Sequence, residues 1–109
     1  MRKLLLIATC CATVAAPAHA DRSKKFRTVQ GLLDTCTTKD GFSFSFGDCM
    51  GYLAGILDPS DGDSVCEPEN VSYGQEVAVF TTWARRNPQK WNENSLHAIQ
   101  AFEEAWPCK

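Results

Sequence analysis

Four cysteines are the residues of this chain whose chemistry is easiest to predict. They follow an N-terminal leader, at Cys36, Cys49, Cys66 and Cys108. An even number of cysteines in an exported chain is typical of disulfide bonds. A zinc site would need close ligand pairs such as Cys-x-x-Cys, which these spacings do not contain. The sequence therefore predicts two disulfide bonds and no metal, and spacing alone leaves three pairings open.

Acid–base and nucleophilic chemistry is not predicted. His97 is the one histidine beyond the leader, and it has no serine or cysteine partner in a recognisable motif. The chain lacks a nucleophile elbow, a two-histidine zinc helix and a glycine-rich phosphate loop. Asp61 and Asp63 flank a glycine, but the other ligands of an EF-hand calcium loop are missing. We therefore expect a protein that acts by binding, without a cofactor, and not an enzyme.

The first twenty residues have the composition of a signal peptide. Basic residues precede a mostly apolar run of thirteen, and Ala18-His19-Ala20 is a small-residue cleavage site. The apolar run is too short to span a membrane. We expect residues 1–20 to be removed on export to the periplasm, leaving residues 21–109 as one domain. A lipoprotein anchored at a leader cysteine is the alternative, although the residues before those cysteines are not the small ones expected there.

The charge of the exported domain argues against a nucleic-acid partner. Without the leader, nine lysines and arginines face thirteen aspartates and glutamates, a net charge of −4. No basic patch with interleaved aromatic residues remains. A domain of 89 residues also buries little apolar surface, so covalent staples are expected to support it.

The spacing of apolar residues predicts an all-α fold of four short helices. The second helix, over residues 48–58, is apolar around most of its circumference, so we expect it at the centre of the domain. Gly51 and Gly55 stand four residues apart on it, which we expect to let a neighbouring backbone come close. The other helices are expected over residues 25–36, from Ser72 to the Asn87-Pro88 stop, and over residues 94–106.

Helix boundaries and loops follow from local signals. Ser72 and Gln75 form a capping box at the start of the third helix. Residues 37–47 are expected to form an extended loop whose alternating phenylalanines Phe42, Phe44 and Phe46 cover the core. Residues 58–69, which carry five acidic side chains, are expected to form a second loop, called the acidic loop below.

The helix order predicts the disulfide pairing. If the first two helices form an antiparallel hairpin, Cys36 at the end of one lies beside Cys49 at the start of the next. If the last two do likewise, Cys66 lies near Cys108. We therefore predict Cys36–Cys49 and Cys66–Cys108.

Several short patterns recur together along the chain. They are Cys49-x-Gly51-Tyr52-x-x-Gly55-x-x-Asp58, Cys66-x-Pro68, Val71-Ser72-x-Gly74-Gln75, Asn87-Pro88 and Ala105-Trp106-Pro107-Cys108. In this order and spacing, over about residues 30–108, the chain resembles the Rap/Tai family of type VI secretion immunity proteins. The resemblance implies a periplasmic protein that binds and inhibits a peptidoglycan amidase effector. The resemblance also implies that this inhibition protects the cell from its own toxin or from that of a sibling cell.

Two other functions suit the same size and compartment. A general periplasmic stress protein or chaperone would expose apolar surface to many clients, although a single histidine gives it little response to pH near neutrality. An adaptor subunit of an envelope complex would bind a fixed assembly. Family resemblance alone does not choose the partner, because one fold can serve several functions.

The aromatic content and the resemblance both imply a homodimer. Large aromatic side chains exceed what a small core readily hides, and exposed apolar patches mark interfaces. The residues concerned are Trp83, Trp91, Trp106, Phe42, Phe44 and Phe46. The alternative is that the loop phenylalanines fold back over the core.

Two segments are candidate contacts for an effector. The acidic loop offers Asp61 and Asp63, whose charge would steer it toward a basic cleft. Residues 85–92, called the basic turn below, offer Arg86 and Trp91, which are residue types common at binding hot spots. The acidic loop is slightly favoured, and the alternative is that neither segment contacts a partner.

Overall fold

The computed structural model describes residues 27–38 and 44–109, which fold as a small helical bundle. Four α-helices are present there: α1 (Val29–Cys36), α2 (Phe44–Leu57), α3 (Tyr73–Arg86) and α4 (Ile99–Ala105). Short 3₁₀ turns at Asp58–Ser60, Pro88–Lys90 and Ser95–Ala98 lie between them. The all-α prediction is confirmed for this part of the chain, whereas the predicted signal peptide lies outside the described residues. None of the described helices combines the length and the hydropathy needed to cross a membrane.

Helix α2 is central, as its apolar pattern predicted. It contacts α1, α3 and α4. Its inward ridge consists of Cys49, Leu53 and Leu57, which are all fully buried. These residues recur every four positions, so they lie along one side of the helix.

The expected close approach at the glycine face of α2 was wrong. Gly51 and Gly55 are exposed, and no neighbouring atom lies within 4 Å of the position that a Cβ atom would take on either. Each glycine is two residues, or about 200°, away from a member of the buried ridge. The neighbouring helices pack against the ridge, and the glycines therefore face away from them.

The predicted extended loop over residues 37–47 is too long, because α2 already begins at Phe44. Three phenylalanines alternating with serines cannot by themselves distinguish a strand-like segment from the first turn of a helix. Phe46 packs partly against the core, as expected, whereas 72% of Phe44 is exposed. Phe42 lies outside the described residues.

The first helix begins later than predicted. Thr28 is its N-cap, and the Thr28 hydroxyl accepts a hydrogen bond from the Gly31 backbone N–H at 3.1 Å. Residues 27 and 28 therefore precede the helix. As the N-cap, the Thr28 side chain satisfies one of the free N–H groups of the first turn. The predicted residues 25 and 26 lie outside the described part.

Helix α3 follows the prediction closely. The Ser72 hydroxyl accepts from the Gln75 backbone N–H at 3.2 Å, and the Gln75 side chain accepts from the Ser72 backbone N–H at 2.8 Å. The predicted capping box is thus confirmed. The helical spacing of Tyr73, Val77, Phe80 and Ala84 predicts one apolar stripe on this helix. The stripe is buried from Val77 onward, but Tyr73 is 60% exposed because it lies on the first turn, beyond the core.

The predicted fourth helix divides into two parts. Residues Ser95–Ala98 form a 3₁₀ turn capped by Asn94, and the α-helix proper begins at Ile99. Phe102 of α4 is fully buried, as is Phe80 of α3. These two rings fill the core beside the ridge of α2.

Both predicted disulfide bonds are confirmed. Cys36 pairs with Cys49 at an S–S distance of 2.04 Å, and Cys66 pairs with Cys108 at 1.97 Å. The second bond ties the acidic loop to the end of the chain, where the Cys66 backbone N–H also donates to the Trp106 carbonyl oxygen at 2.8 Å. The helix hairpins and the disulfides therefore support each other.

We predict that the two disulfides are reduced in a fixed order. Cys36 and Cys49 are 5% and 0% exposed, whereas Cys66 is exposed and Cys108 half-buried. Because exchange requires a thiolate to reach a disulfide sulfur, limiting dithiothreitol should open Cys66–Cys108 first. Timed alkylation followed by peptide mapping measures the order. Simultaneous labelling of all four cysteines in the native protein would contradict it.

Candidate functional site

The acidic loop is pinned to the core at several points. Val65 is fully buried, and its carbonyl oxygen accepts from the Gly62 backbone N–H at 2.7 Å. Gly62 has a positive φ of 81°, a conformation that suits glycine in a tight turn. The Asp61 carboxylate accepts from the Glu67 backbone N–H at 3.0 Å, whereas Asp63 is exposed. Asp61 therefore helps to hold the loop, while Asp63 faces solvent.

Glu76, on the first turn of α3, is a buried acid that the sequence analysis did not single out. It is 6% exposed, and its Oε2 atom is buried without a hydrogen-bond partner among the described residues. Burial, followed by the charges of Glu67 and Asp58, raises the pKa of the Glu76 carboxyl group. The signal was present in the sequence, because Glu76 stands four residues before the core residue Phe80 and therefore shares its helical face.

Glu67 belongs to the same region. Burial, followed by the charges of Asp61 and Asp58, raises the pKa of the Glu67 carboxyl group. The charges of Asp58 and Asp61 act on Glu67, and those of Glu67 and Asp58 act on Glu76. We call these four acids the acidic cluster. It joins the 3₁₀ turn after α2, the acidic loop and the start of α3.

Trp91 holds the basic turn in place. The ring is half-buried and packs against the core, and its Nε1–H donates to the Ala84 carbonyl oxygen at 2.8 Å. The Trp91 carbonyl oxygen in turn accepts from the Gln30 backbone N–H at 3.0 Å. Trp91 thus connects α3, the turn and α1, which is a structural role.

Arg86 is exposed and lines a groove of about 460 Å³ between α3 and α4. Small and apolar side chains form most of the lining, and Glu104 adds a negative charge. Trp83 also lines the groove, and its buried Nε1–H has no hydrogen-bond acceptor among the described residues. Helix α3 has 14 residues, so about 20 Å separate its acidic start from Arg86 at its end. Within the described residues, no hydrogen bond or ion pair joins Asp61 or Asp63 of the acidic loop to Arg86 or Trp91 of the basic turn.

His97 lies against the carboxylate of Glu93. Its Nδ1 atom lies 2.7 Å from Oε2 of Glu93, which also lies 3.7 Å from the ammonium group of Lys90. Across residues 27–38 and 44–109, no group of three or more His, Cys, Asp or Glu side chains is arranged to hold a metal ion. The features of this part of the chain that face solvent are the charged loops and the α3–α4 groove.

We predict that replacing Glu76 with glutamine stabilises the folded protein at neutral pH. A raised pKa means that the folded state binds more protons than the unfolded state, so the free energy of unfolding falls as pH rises through the interval from the ordinary pKa to the raised one. Glu76→Gln removes the buried charge. We expect a gain of about 1 kcal/mol at about pH 7 and almost none at about pH 3.5, where both side chains are neutral.

Urea unfolding of the two proteins at both pH values measures this effect. Glu69→Gln is the matched control, since Glu69 is an exposed acid of the neighbouring acidic loop and its replacement should change stability little. A Glu76→Gln protein that is less stable than the wild type at neutral pH would show that the charged carboxylate has a stabilising partner.

We predict that Trp91 contributes to stability through both its ring and its N–H group. Trp91→Phe should lower the free energy of unfolding by about 1 kcal/mol, because the hydrogen bond to Ala84 is lost. Trp91→Ala should lower it by about 3 kcal/mol, because apolar contacts are lost as well. The neighbouring exposed residue provides a control, Asn92→Ala. Chemical denaturation with no change in Trp91→Ala would contradict the structural role.

Searches of curated protein sequences and of solved structures found no significant match. The sequence profile of the family described as Rap1a immunity proteins matches residues 28–108. That range includes the four described helices and both disulfides found among them. Immunity proteins bind an effector and are generally not enzymes, which suits a bundle whose charged side chains lie in pinned loops. The chain belongs to the Rap1a immunity protein family.

Proposed function

We propose that this protein is a periplasmic immunity protein that binds and inhibits a type VI secretion peptidoglycan amidase. The observation that carries the proposal is the family match, which extends over the whole helical domain. Two disulfides support an oxidising compartment, and the leader over residues 1–20 supports export as a signal peptide. By this proposal, the domain comprises residues 21–109 after cleavage.

Inhibition needs no chemistry from the inhibitor. A peptidoglycan amidase of the class this family opposes uses a cysteine and a histidine in a cleft, and a protein that fills the cleft prevents substrate from entering. The acidic loop suits this role, because Val65 and the Cys66–Cys108 bond already hold it, and little conformational entropy is lost on binding. The side chain of Asp63 is free to face a partner, while Asp61 positions the loop.

The basic turn is the second candidate contact with the amidase. Arg86 remains a candidate because it is exposed beside the α3–α4 groove. Trp91 is a weaker one, because its ring and N–H group already bind α3. Substitution of Trp91 by alanine would therefore disturb the fold along with any contact.

We also propose a homodimer, although fewer exposed aromatic residues support it than the sequence suggested. Trp83 is buried, and Trp91, Trp106 and Phe46 pack against the core, so most of the aromatic residues do not form a free surface. Among the described residues, Phe44, Tyr73 and Leu96 are the large hydrophobic residues whose side chains are mostly exposed. The dimer proposal rests on such exposed surface and on the family resemblance.

Light scattering at micromolar concentration tests the dimer. We expect about twice the monomer mass, and partial dissociation in Phe44→Ser. A monomeric wild-type protein would contradict the dimer without affecting the proposed inhibition.

The functional proposal predicts protection that depends on export. Affinity purification from the source cell should yield one cell-wall amidase as the tight partner. When that amidase is directed to the periplasm, co-production of the full chain should restore growth, whereas a chain without residues 2–20 should not. Many weakly bound clients would instead support a chaperone, and a fixed envelope assembly would support an adaptor.

Contact residues are separated by affinity measurements with the purified amidase. Asp61→Ala/Asp63→Ala should weaken binding at least tenfold, equal to about 1.4 kcal/mol, if the acidic loop enters the cleft. Arg86→Ala tests the basic turn without disturbing Trp91. Circular dichroism confirms folding of each variant, and unchanged affinity in both would place the contact elsewhere.

A further inference from the structure

The acidic cluster contains a buried carboxyl group that the described part of the chain leaves without a hydrogen-bond donor. The Glu76 side chain is 6% exposed, and Oε2 is closed to solvent with no hydrogen-bond donor among the described residues. An unpaired buried carboxylate is costly. The start of α3 offsets part of this cost, since the N-terminal end of a helix favours negative charge.

The neighbouring charges increase the cost. Asp58 and Asp61 are exposed at the rim of the cluster and Glu67 is half-buried, so the acids are arranged at increasing depth toward Glu76. The Asp61 carboxylate holds the Glu67 backbone N–H at 3.0 Å, which fixes Glu67 in this arrangement. The charges of Glu67 and Asp58 reach the Glu76 carboxyl group and raise its pKa.

Cations of the described residues do not neutralise the cluster. The ion pairs found among them involve Lys90 and His97, which both contact Glu93. Arg85 and Arg86 lie at the opposite end of α3. Lys109 follows Cys108, which is bonded to Cys66 beside Glu67, yet within the described ranges no ion pair joins Lys109 to the cluster.

A side-chain cation fits the cluster better than a metal ion. None of the described acid groups is arranged to hold a metal. A guanidinium group is flat, always charged, and carries five N–H donors that can serve two carboxylates at once. We propose that the acidic cluster binds an arginine side chain of the partner protein, with Glu67 and Glu76 accepting its hydrogen bonds. The identity of that partner as the amidase rests on the proposed function.

The two carboxylates have different parts in this site. Glu67 is half-buried and meets the guanidinium first, while Asp58 and Asp61 add attraction from the rim. Because Oε2 of Glu76 is closed to solvent, the deeper hydrogen bond forms after the flexible side chain of Glu67 or Glu76 rotates. Binding therefore lowers the pKa of Glu76, because a positive charge favours the ionised carboxylate.

N-acetyl-arginine amide is the probe, and N-acetyl-citrulline amide is its uncharged control of nearly the same shape. Both are titrated into the isotopically labelled full domain at fixed ionic strength, with backbone amide and glutamate carboxyl NMR signals as readouts. We expect saturable shifts at Glu67 and Glu76 with the arginine probe, a lowered pKa for Glu76 and no saturable shifts with the citrulline probe.

Variants distinguish the site from general attraction between charges. Glu76→Gln should weaken probe binding at least fivefold, and it should fold well because it removes an uncompensated charge. Glu69→Gln removes the same charge from an exposed position in the loop and should leave probe binding unchanged. Equal binding by wild type and Glu76→Gln, or equal shifts with both probes, would overturn the proposal. Since the probe needs no effector, this result is independent of whether the protein protects against an amidase.

Discussion

The burial of one ridge of α2 is the interaction on which the rest of the structure depends. Cys49, Leu53 and Leu57 have no exposed surface, and all three other helices of the described bundle contact this helix. The other buried apolar residues, including Phe80 and Phe102, belong to the same small core as this ridge. Cys49 serves both purposes, since its side chain lies in the core and its sulfur is bonded to Cys36.

The use of the helices to build this small core determines where binding surfaces can form. The helices are used to build the core, so the exposed charged groups collect in the connections and at helix ends. Among these connections, the acidic loop is already held in place for binding, because its Val65 is buried and its Cys66 is bonded to Cys108. The same proximity to the core leaves Glu76 buried without a donor in the described structure. The proposed binding of a partner's arginine side chain at this position would account for an acid where Glu76→Gln is predicted to be more stable.

Much of the fold was predictable because its signals are local. The capping box of Ser72 and Gln75, the proline stops and the helical spacing around Leu53 each specify a feature within a few residues. The disulfide pairing followed from the helix order. The predictions failed where tertiary packing decides the outcome: the first turn of α2 at Phe44, the outward face of Gly51 and the exposure of Tyr73.

The candidate site was less predictable, because contacts between distant residues define it. The sequence identified Asp61 and Asp63 as charged, but it could not show that the Asp61 side chain holds Glu67. Tryptophan is common at binding hot spots, yet the Nε1–H group of Trp91 donates a hydrogen bond to the Ala84 carbonyl oxygen within the domain. Glu76 is an acid on the same helical face as Phe80, and only the packed structure shows that it lacks a donor among the described residues.

By the proposed function, this chain inhibits a peptidoglycan amidase by binding it. Titration of the purified amidase with the purified domain, with release of cleaved peptidoglycan as the readout, tests the claim most directly. Tight inhibition predicts activity that falls linearly and reaches zero at a fixed stoichiometric ratio. Full amidase activity in the presence of excess folded, disulfide-bonded domain would contradict it.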